Sequence, residues 1–443
     1  MTTVDPAAPT PGPAGLGLSS PGAAERSRTI AKRRAWKTPI VFAVFAALGV
    51  LLFVVFGVDA DANFLLSPVG DAVQIPPIVL PGVVTGIVVA AILVVIAIVA
   101  FVLVIGYRRV PLWLIAIFAA AVLVGFLAWA GAASRTHNIP FTSLLEGAVA
   151  LSIPLVFGSL AGVIGERVGV VNIAIEGQLL FGAFAGAVVA SMTQSPWPGL
   201  VAAAVAGVLV GMLLAVFSIE YFVDQIIVGV VVNVLIIGLT NFLYSELLAP
   251  NAQTLNNPPR FDTWDIPGLA QIPILGPMLF QQTPIVYLAY VAIFLVWWGL
   301  YRTKWGLRLR ATGEHPTAAD TVGINVNRSR FWNVSMAGAI AGIGGAYFTL
   351  GSVGAFGKEM TAGAGYIALA AVIFGKWHPL RAALAALLFG FTQNLNFVLS
   401  AIGSAVPSQF MLMLPYVVTI LAVAGFVGVS RGPAASGKPY IKS

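Results

Sequence analysis

The stretch RATGEHPTAADTVGINVNRSR, Arg310 to Arg330, is polar and lies between two long apolar runs of the chain. Hydrophobic residues make up 59% of the sequence, charged residues only 9%, and the mean hydropathy is +0.96. Soluble domains carry about 25% charged residues, whereas about 20 consecutive apolar residues can cross a bilayer as a helix. The composition therefore predicts an all-α polytopic membrane protein. Transmembrane β-strands are disfavoured because the apolar runs are continuous rather than alternating.

The apolar runs predict about 10–12 transmembrane helices, and two of the runs are interrupted. Residues 364–375 are too few to cross a bilayer alone, which indicates a half-helix or re-entrant segment. Asn172 and Glu176 stand inside the run 170–191, which indicates a second interrupted span. The predicted spans are 39–57, 79–106, 110–131, 143–164, 170–191, 199–218, 226–247, 284–301, 332–350, 364–375, 382–402 and 408–428.

Small residues recur four positions apart in several of these runs. They are Gly158 and Gly162, Gly182 and Gly186, and Gly338, Gly342 and Ala346. Such rows let helices approach closely in lipid, where packing drives association; the alternative is that Gly and Ala are simply abundant. A weak similarity also relates LAGVIG at 160–165 to IAGIGG at 340–345. Two inverted repeats with half-helices are therefore one hypothesis for the fold, and chance similarity is its alternative.

The placement of Lys and Arg predicts which ends of the helices face the cytoplasm. Residues 1–38 are rich in Pro, Ala and Gly and end in a basic cluster, which predicts a disordered, basic cytoplasmic tail. With that end inside, the outer connections hold only Arg135, Arg260 and Lys358 of the 23 basic residues. Both termini and the stretch 310–330 are then predicted to be cytoplasmic. Membrane orientation explains the net charge of +7 without nucleic acid as a partner.

The sequence contains no constellation of residues typical of catalysis or metal binding. The three histidines lie in separate connections, without carboxylates at metal-ligand spacing, and no GxxxxGK[ST] loop is present. The absence of cysteine excludes disulfides and thiolate–metal sites. We therefore predict no catalytic residue and no metal site, and we expect that the chain is not an enzyme.

Within the polar stretch, Pro316 suits the first turn of a helix and Gly323 suits its C-terminal end. A helix of about two turns between them is too short to be stable alone in water. Ala318, Ala319 and Val322 give it one small apolar face. The polar residues beside that face are Glu314, His315 and Asp320. We interpret the segment as a docking element for a soluble partner; an ordinary interfacial helix is the alternative.

Asn172, Glu176 and Gln178 form a polar group inside an apolar run. A charged side chain at the bilayer centre costs about 2.5–3.5 kcal/mol on insertion scales, so it usually faces a cavity or a partner. One hypothesis is that this group lines a pathway or pins a broken helix, and the other pairs Glu176 with Arg167. We favour a structural role over contact with a solute.

A second polar group, Gln393, Asn394 and Asn396, lies in the run 382–402. These amides could hydrogen-bond between helices or contact a polar solute. Nearby aromatic residues that could stack on a base or sugar are Phe391, Phe397 and Trp377. Aromatic side chains in membrane helices more often contact lipid or pack, which is the alternative.

Two long segments resemble the membrane-spanning permease subunits of ABC importers. The first, IPLVFGSLAGVIGERVGVVNIAIEGQLLFGAFAG, spans 153–186, and the second, from GLRLRATGEHP to VIFGKWHPL, spans 306–380. The similarity covers residues 143–428 and is greatest to the branch for nucleosides and simple sugars, especially the smaller permease of nucleoside-type pairs. The first 140 residues depart from that pattern in a long tail and extra hydrophobic spans.

The resemblance implies a coupling helix that seats in a cytoplasmic ABC ATPase subunit. Ala318 and Ala319 would allow close approach to the ATPase, while Glu314 and Asp320 would fix the register. The implied coupling residues are Glu314, His315, Pro316, Ala318, Ala319, Asp320, Gly323 and Ile324. Other implied partners are a second permease of different sequence, an external substrate-binding lipoprotein and the inner membrane of a prokaryote. ATP and Mg would be bound by the ATPase, and no cofactor by this chain.

The function implied by the resemblance is inward translocation of nucleosides or related ribosyl solutes. A simple-sugar permease of the ribose type is the alternative within the family. An ion-coupled secondary transporter is the alternative outside it, and the scarcity of buried acids argues against it. The implied division is a tail at 1–38, extra transmembrane helices at 39–131, the permease domain at 132–428 and a cytoplasmic tail at 429–443.

Overall fold

The computed structural model describes residues 36–67, 74–407, 409–410, 412–413 and 432–442. Within these residues, ten helices are long and apolar enough to cross a membrane. This confirms the predicted all-α membrane fold. The predicted N-terminal tail lies almost wholly outside the described residues, and so does most of the predicted span 408–428.

Two connections are long: the one between α1 and α2, which holds strands β1 and β2, and the one between α7 and α9. Four of the long helices end in a π-helical turn. The helices are α1 Lys37–Val55, α2 Gly82–Ile105, α3 Leu112–Ala132, α4 Phe141–Arg167, α5 Ile175–Thr193, α6 Pro196–Glu220, α7 Gln225–Leu248, α8 Ala252–Leu255, α9 Pro284–Arg302, α10 Lys304–Glu314, α11 Pro316–Thr321, α12 Val326–Val353, α13 Ala364–Phe374 and α14 Pro379–Ala401. The strands are β1 Asp61–Leu65, β2 Ile78–Pro81, β3 Asn138–Pro140, β4 Trp264–Asp265 and β5 Gln281–Gln282.

Helices α1–α3 form a small cluster of their own, in which the rings of Phe42 and Phe118 stack 4.0 Å apart. A three-stranded sheet of order β2-β1-β3 covers one end of this cluster. Strand β1 runs antiparallel to β2 and parallel to β3. Because β3 leads directly into α4, the sheet ties the N-terminal helices to the rest of the chain.

The main core joins α4, α5, α6, α12 and α13. Gly207 of α6 and Gly338 of α12 lie face to face, and a Cβ on either would overlap the carbonyl oxygen of the other. Gly342 meets Ala203 and Gly182 in the same way. This confirms that small residues allow close helix packing, since larger side chains would push the backbones apart.

Two helices begin inside the membrane domain rather than at its ends. Helix α13 has 11 residues and a length of about 16 Å, half of the roughly 30 Å hydrocarbon core, which confirms the predicted half-helix. Residues 168–174 are not helical, so α5 begins only at Ile175. A side chain at Gly158 would meet both Ile175 and Ala368. Gly158 precedes the end of α4 by nine residues, so α5 starts about 13 Å inside that end. Gly365, at the start of α13, lies against the backbone of Glu176, so α13 also starts inside the domain.

The polar connection between α9 and α12 contains two helices. The second, α11, starts at Pro316, and Gly323 follows it with φ +83, as the sequence predicts. The first, α10, was not predicted; it begins after Thr303, whose hydroxyl accepts a hydrogen bond from the Gly306 N–H. The segment contains no long apolar run, so the sequence patterns did not indicate a helix there.

Candidate functional site: a helix break and an exposed docking element

The Glu176 carboxylate caps the N-terminus of the half-helix α13. Its Oε1 accepts hydrogen bonds from the Thr361 hydroxyl at 2.6 Å and the Gly363 N–H at 2.9 Å. Its Oε2 accepts one from the Gly365 N–H at 2.6 Å. Free N–H groups and the positive end of the helix dipole favour an anion at this place. Glu176 therefore holds α13 against α5.

The alternative partner of Glu176, Arg167, has other contacts. Its Nε donates to the Trp377 carbonyl at 3.0 Å, and its Nη1 lies 3.9 Å from Oε1 of Glu314. Trp377 in turn donates its indole N–H to Glu166 and is only 9% exposed. The Trp377 ring is therefore a packing contact between α4 and the end of α13, closed to a solute.

Asn172 and Gln178 bind each other. The Asn172 amide donates to Gln178 Oε1 at 3.1 Å, and the Gln178 amide donates to Asn172 Oδ1 at 3.3 Å. Neither side chain has exposed surface. Because a buried polar group is costly unless it is hydrogen-bonded, this pair fixes the non-helical segment 168–174 on α5. The two amides face each other and not a pathway.

Two further amides complete the break, and sequence reasoning missed both. Asn233 of α7 accepts the Gly177 N–H at 2.8 Å and donates to the Ile173 carbonyl at 2.9 Å and the Tyr366 hydroxyl at 3.1 Å. Gln225 accepts the Val171 N–H at 2.8 Å. The available signal was the amide of Asn233 in the middle of the apolar stretch 226–239. These bonds join α5, α7 and α13 into one polar layer.

The amides of α14 divide into two groups. Asn394 is 8% exposed and donates to the carbonyls of Ser143 and Leu144 at 3.2 and 2.8 Å, so it holds α14 on α4. Gln393 and Asn396 instead line a cavity of about 500 Å³ between α4, α12 and α14.

The cavity beside α14 combines polar and aromatic groups. Phe397, which is 61% exposed, and Phe348 lie in its wall with the two amides. Thr361, which binds Glu176, also lines it, so the cavity touches the cap of α13. Binding sites for small molecules commonly have this size and this mixture of aromatic walls and a few convergent polar groups. Phe391 lies elsewhere, half-buried against the N-terminal helices.

The docking element α11 has one buried and one exposed side. Ala319 is only 3% exposed and packs on Val326 and Tyr440. The prediction that Ala319 faces a partner is therefore wrong, because this side of the helix rests on the chain's own C-terminal segment. Ala318 and Val322, four positions apart, are both exposed, and Val322 is 75% accessible.

The acidic residues of the docking element are partly engaged within the chain. Glu314 Oε2 accepts the Ala434 N–H at 3.2 Å, and Asp320 Oδ1 lies 4.0 Å from Nζ of Lys442. Both carboxylates therefore contact the chain's own C-terminal segment, and their role in fixing the register of an ATPase stays a prediction. His315 stands exposed at the N-cap of α11, and Ile324 packs beside Ala319. Local sequence patterns do not reveal these contacts, because they join the docking element to the C-terminal segment more than 100 positions later.

A groove lies beside the exposed side of α11. It has a volume of about 790 Å³ between α10 and the start of α12. Val322, Leu307 and Trp332 line it, and Leu307 and Trp332 are 62% and 49% exposed. Arg308 and Arg328 also line it. Apolar patches rimmed by polar groups are typical of protein contact surfaces, so the groove can receive a side chain of a soluble partner.

Comparison with known proteins gives a consistent set of relatives. The model of the family described as the permease component of branched-chain amino acid transport systems matches residues 144–423. The guanosine ABC transporter permease protein of Bacillus subtilis is 40% identical over 308 residues, covering 68% of this chain and 96% of that protein. The nucleoside ABC transporter permease protein of Lactococcus lactis is 39% identical over 301 residues, covering 66% and 94%. A putative glucose ABC transporter permease protein of Haloferax volcanii is 32% identical over 301 residues, covering 63% and 90%. No solved structure matches the chain.

Proposed function

Since the chain belongs to the family of permease components of branched-chain amino acid transport systems, we propose that it carries nucleosides or related ribosyl solutes inward as a subunit of an ABC importer. As a family member it is a non-catalytic, multi-pass membrane subunit that works with an ATPase and other transporter subunits. One observation carries the choice of substrate: the permeases named for guanosine and nucleosides are 40% and 39% identical to this chain, against 32% for the one named for glucose.

The proposed assembly has four kinds of protein. A cytoplasmic ATPase subunit, which holds ATP and Mg, seats on the exposed side of α11, and a second permease of different sequence completes the membrane part. An external lipoprotein delivers the solute. The distribution of basic residues supports cytoplasmic termini in a prokaryotic inner membrane. Residues 132–428 are the proposed permease domain, preceded by extra helices at 39–131 and flanked by tails at 1–38 and 429–443.

Helix α12 is the proposed mechanical link between the ATPase and the solute. It follows α11 after a short connection and is 28 residues long. Its C-terminal π-helical turn, Tyr347–Val353, supplies Tyr347 and Phe348 to the cavity wall. Closure of the ATPase would therefore move one end of a rigid helix whose other end borders the solute. Glu176 keeps α13, the opposite wall, in place during that movement.

The cavity supports a nucleoside better than a plain sugar. A base has a π face that Phe397 or Phe348 can stack on, and Gln393 and Asn396 can bind ribose hydroxyls or base edges. A simple sugar remains the second candidate because one relative is named for glucose.

Reconstitution of the complete transporter tests the proposal. We expect ATP-dependent uptake of radiolabelled guanosine into proteoliposomes that contain both permeases, the ATPase and the lipoprotein. Ribose and glucose in excess should compete poorly. Uptake driven by a sodium or proton gradient without ATP would contradict the importer, and efficient competition by ribose would favour the sugar permease.

A further inference from the structure

The C-terminal segment, residues 432–442, lies across the docking element. We propose that this segment positions α11 and couples its movement to the membrane helices, an inference that rests on the proposed function. Helix α11 has only six residues, and so short a helix has no stable orientation of its own. The residues that pack against α11 must therefore set its orientation.

The first contact is a backbone attachment to the end of α10. The Ala435 N–H donates to the Gly313 carbonyl at 2.9 Å, and the Ala434 N–H donates to Glu314 at 3.2 Å. Carbonyl groups in the last turn of a helix have no partner within the helix. The C-terminal segment supplies one directly before α11 begins.

The second contact is the ring of Tyr440. It is 8% exposed and forms an apolar cluster with Ala319 and Val326, with Ala311 and Ile324 at its edge. Tyr440 therefore fills the space between α11 and the start of α12. A large aromatic ring buries much apolar surface, so it holds the short helix more firmly than the exposed ion pair between Lys442 and Asp320 can.

The third contact anchors the segment to the membrane domain. Arg330 of α12 is only 2% exposed, and its Nη1 donates to the Lys438 carbonyl at 2.8 Å. Its Nε and Nη2 have no hydrogen-bond partner among the described residues. Gly169, whose φ is +96, lies against the Arg330 guanidinium, and a side chain at Gly169 would meet that guanidinium. Gly169 belongs to the segment that precedes α5 and Glu176.

These contacts make the C-terminal segment a bridge between the docking element, α12 and the helix break. Its loss should leave the exposed side of α11 available to the ATPase. The movement of the ATPase would then be transmitted poorly, because α11 could shift without moving α12. The expected defect lies in the number of solute molecules moved per ATP hydrolysed, and not in assembly.

The test compares variants of Tyr440 in the complete reconstituted transporter. Tyr440→Ala should lower the ratio of guanosine transported to phosphate released about fivefold or more, with the ATPase still copurifying. Tyr440→Phe keeps the ring, so its ratio of guanosine transported to phosphate released should stay near that of the original protein. Ile441→Ala is the matched control, since Ile441 is 70% exposed, and should change nothing. The ratio is independent of how much transporter is recovered.

The outcomes separate this inference from the proposed function. A normal ratio in Tyr440→Ala, with guanosine uptake intact in the original protein, overturns the positioning role alone. Absence of guanosine uptake in the original complex overturns the proposed function. If Tyr440→Ala yields no protein, Tyr440→Leu retains apolar volume without the ring; a reduced ratio supports the inference and an unchanged ratio overturns it.

Discussion

The N-terminal helices α1–α3 and the central helices α4 and α5 use apolarity differently. Each of α1–α3 is more apolar than α4 or α5, and yet only 28%, 39% and 28% of their most apolar stretches are buried. In α4 and α5 the buried shares are 83% and 72%. The central pair also carries the buried carboxyl groups Glu166 and Glu176, and the segment between them carries the buried amide Asn172. High apolarity therefore marks contact with lipid, while glycine and satisfied polar groups mark the packed, working interior.

The largest effect should come from crowding the central helices. Gly338→Val would drive a side chain into the backbone of Gly207. Overpacking usually costs about 1–3 kcal/mol and more when only backbone can yield, so we expect little folded protein in the membrane. Gly238→Val on α7 is the matched control, because nothing beyond the adjacent backbone of its own helix lies within 4 Å of its Cβ position. The amount of folded protein is measured by size-exclusion chromatography in detergent. Equal recovery of both variants would contradict the claim that the central helices need glycine at their contacts.

Next in size is removal of the charge at the helix break. Glu176→Gln keeps the shape but turns an acceptor oxygen into a donor that faces the N–H groups of α13. Hydrogen bonds to charged groups contribute about 1.5–3 kcal/mol each, so guanosine uptake should fall at least tenfold. Glu246→Gln is the control, since Glu246 is exposed. Normal uptake with normal expression of Glu176→Gln would contradict a charge-dependent role for this carboxylate, both in lining a pathway and in holding the broken helix.

A smaller, selective effect is expected at the docking element. Val322→Glu puts a charge on the exposed side of α11 without touching Ala319. We expect about tenfold weaker copurification of the ATPase, because the few residues that contribute about 2 kcal/mol or more to an interface cluster near its centre. Ile441→Glu, on an equally exposed residue of the C-terminal segment, should bind normally. Equal binding by both variants would place the contact elsewhere.

The smallest effect concerns the choice of solute. Phe397→Leu removes a stacking surface worth about 0.5–1.5 kcal/mol and should lower guanosine uptake a few fold. Phe242→Leu is the control, because Phe242 is 62% exposed on α7 and lines none of the cavities described here. The comparison is made by competition between guanosine and ribose. A shift of equal size in both variants would argue against the cavity as the solute path.

Local sequence patterns predicted the features that depend on local physics. The length of the run 364–375 indicated a half-helix, and Pro316 and Gly323 bounded α11 through their backbone preferences. The polar run around Glu176 indicated a broken helix. In each case the deciding residues lie within a few positions of one another.

Long-range contacts were beyond such patterns. Ala319 was placed on the wrong side of α11, because Tyr440, 121 positions later, decides which side is buried. Asn233 and Thr361 were missed for the same reason: each acquires its role only through a partner far away in the sequence, Gly177 for Asn233 and Glu176 for Thr361. Helix α10 was missed because its amphipathic pattern has few apolar residues.

The central claim is that α11 faces the cytoplasm and that an ATPase subunit binds it there. The chain contains no cysteine, so Val322→Cys offers a single reactive thiol. In inside-out and right-side-out vesicles, a membrane-impermeant maleimide should label this residue only from the cytoplasmic side, and added ATPase subunit should protect it. Labelling from the outer side, or labelling that the ATPase leaves unchanged, would contradict the account.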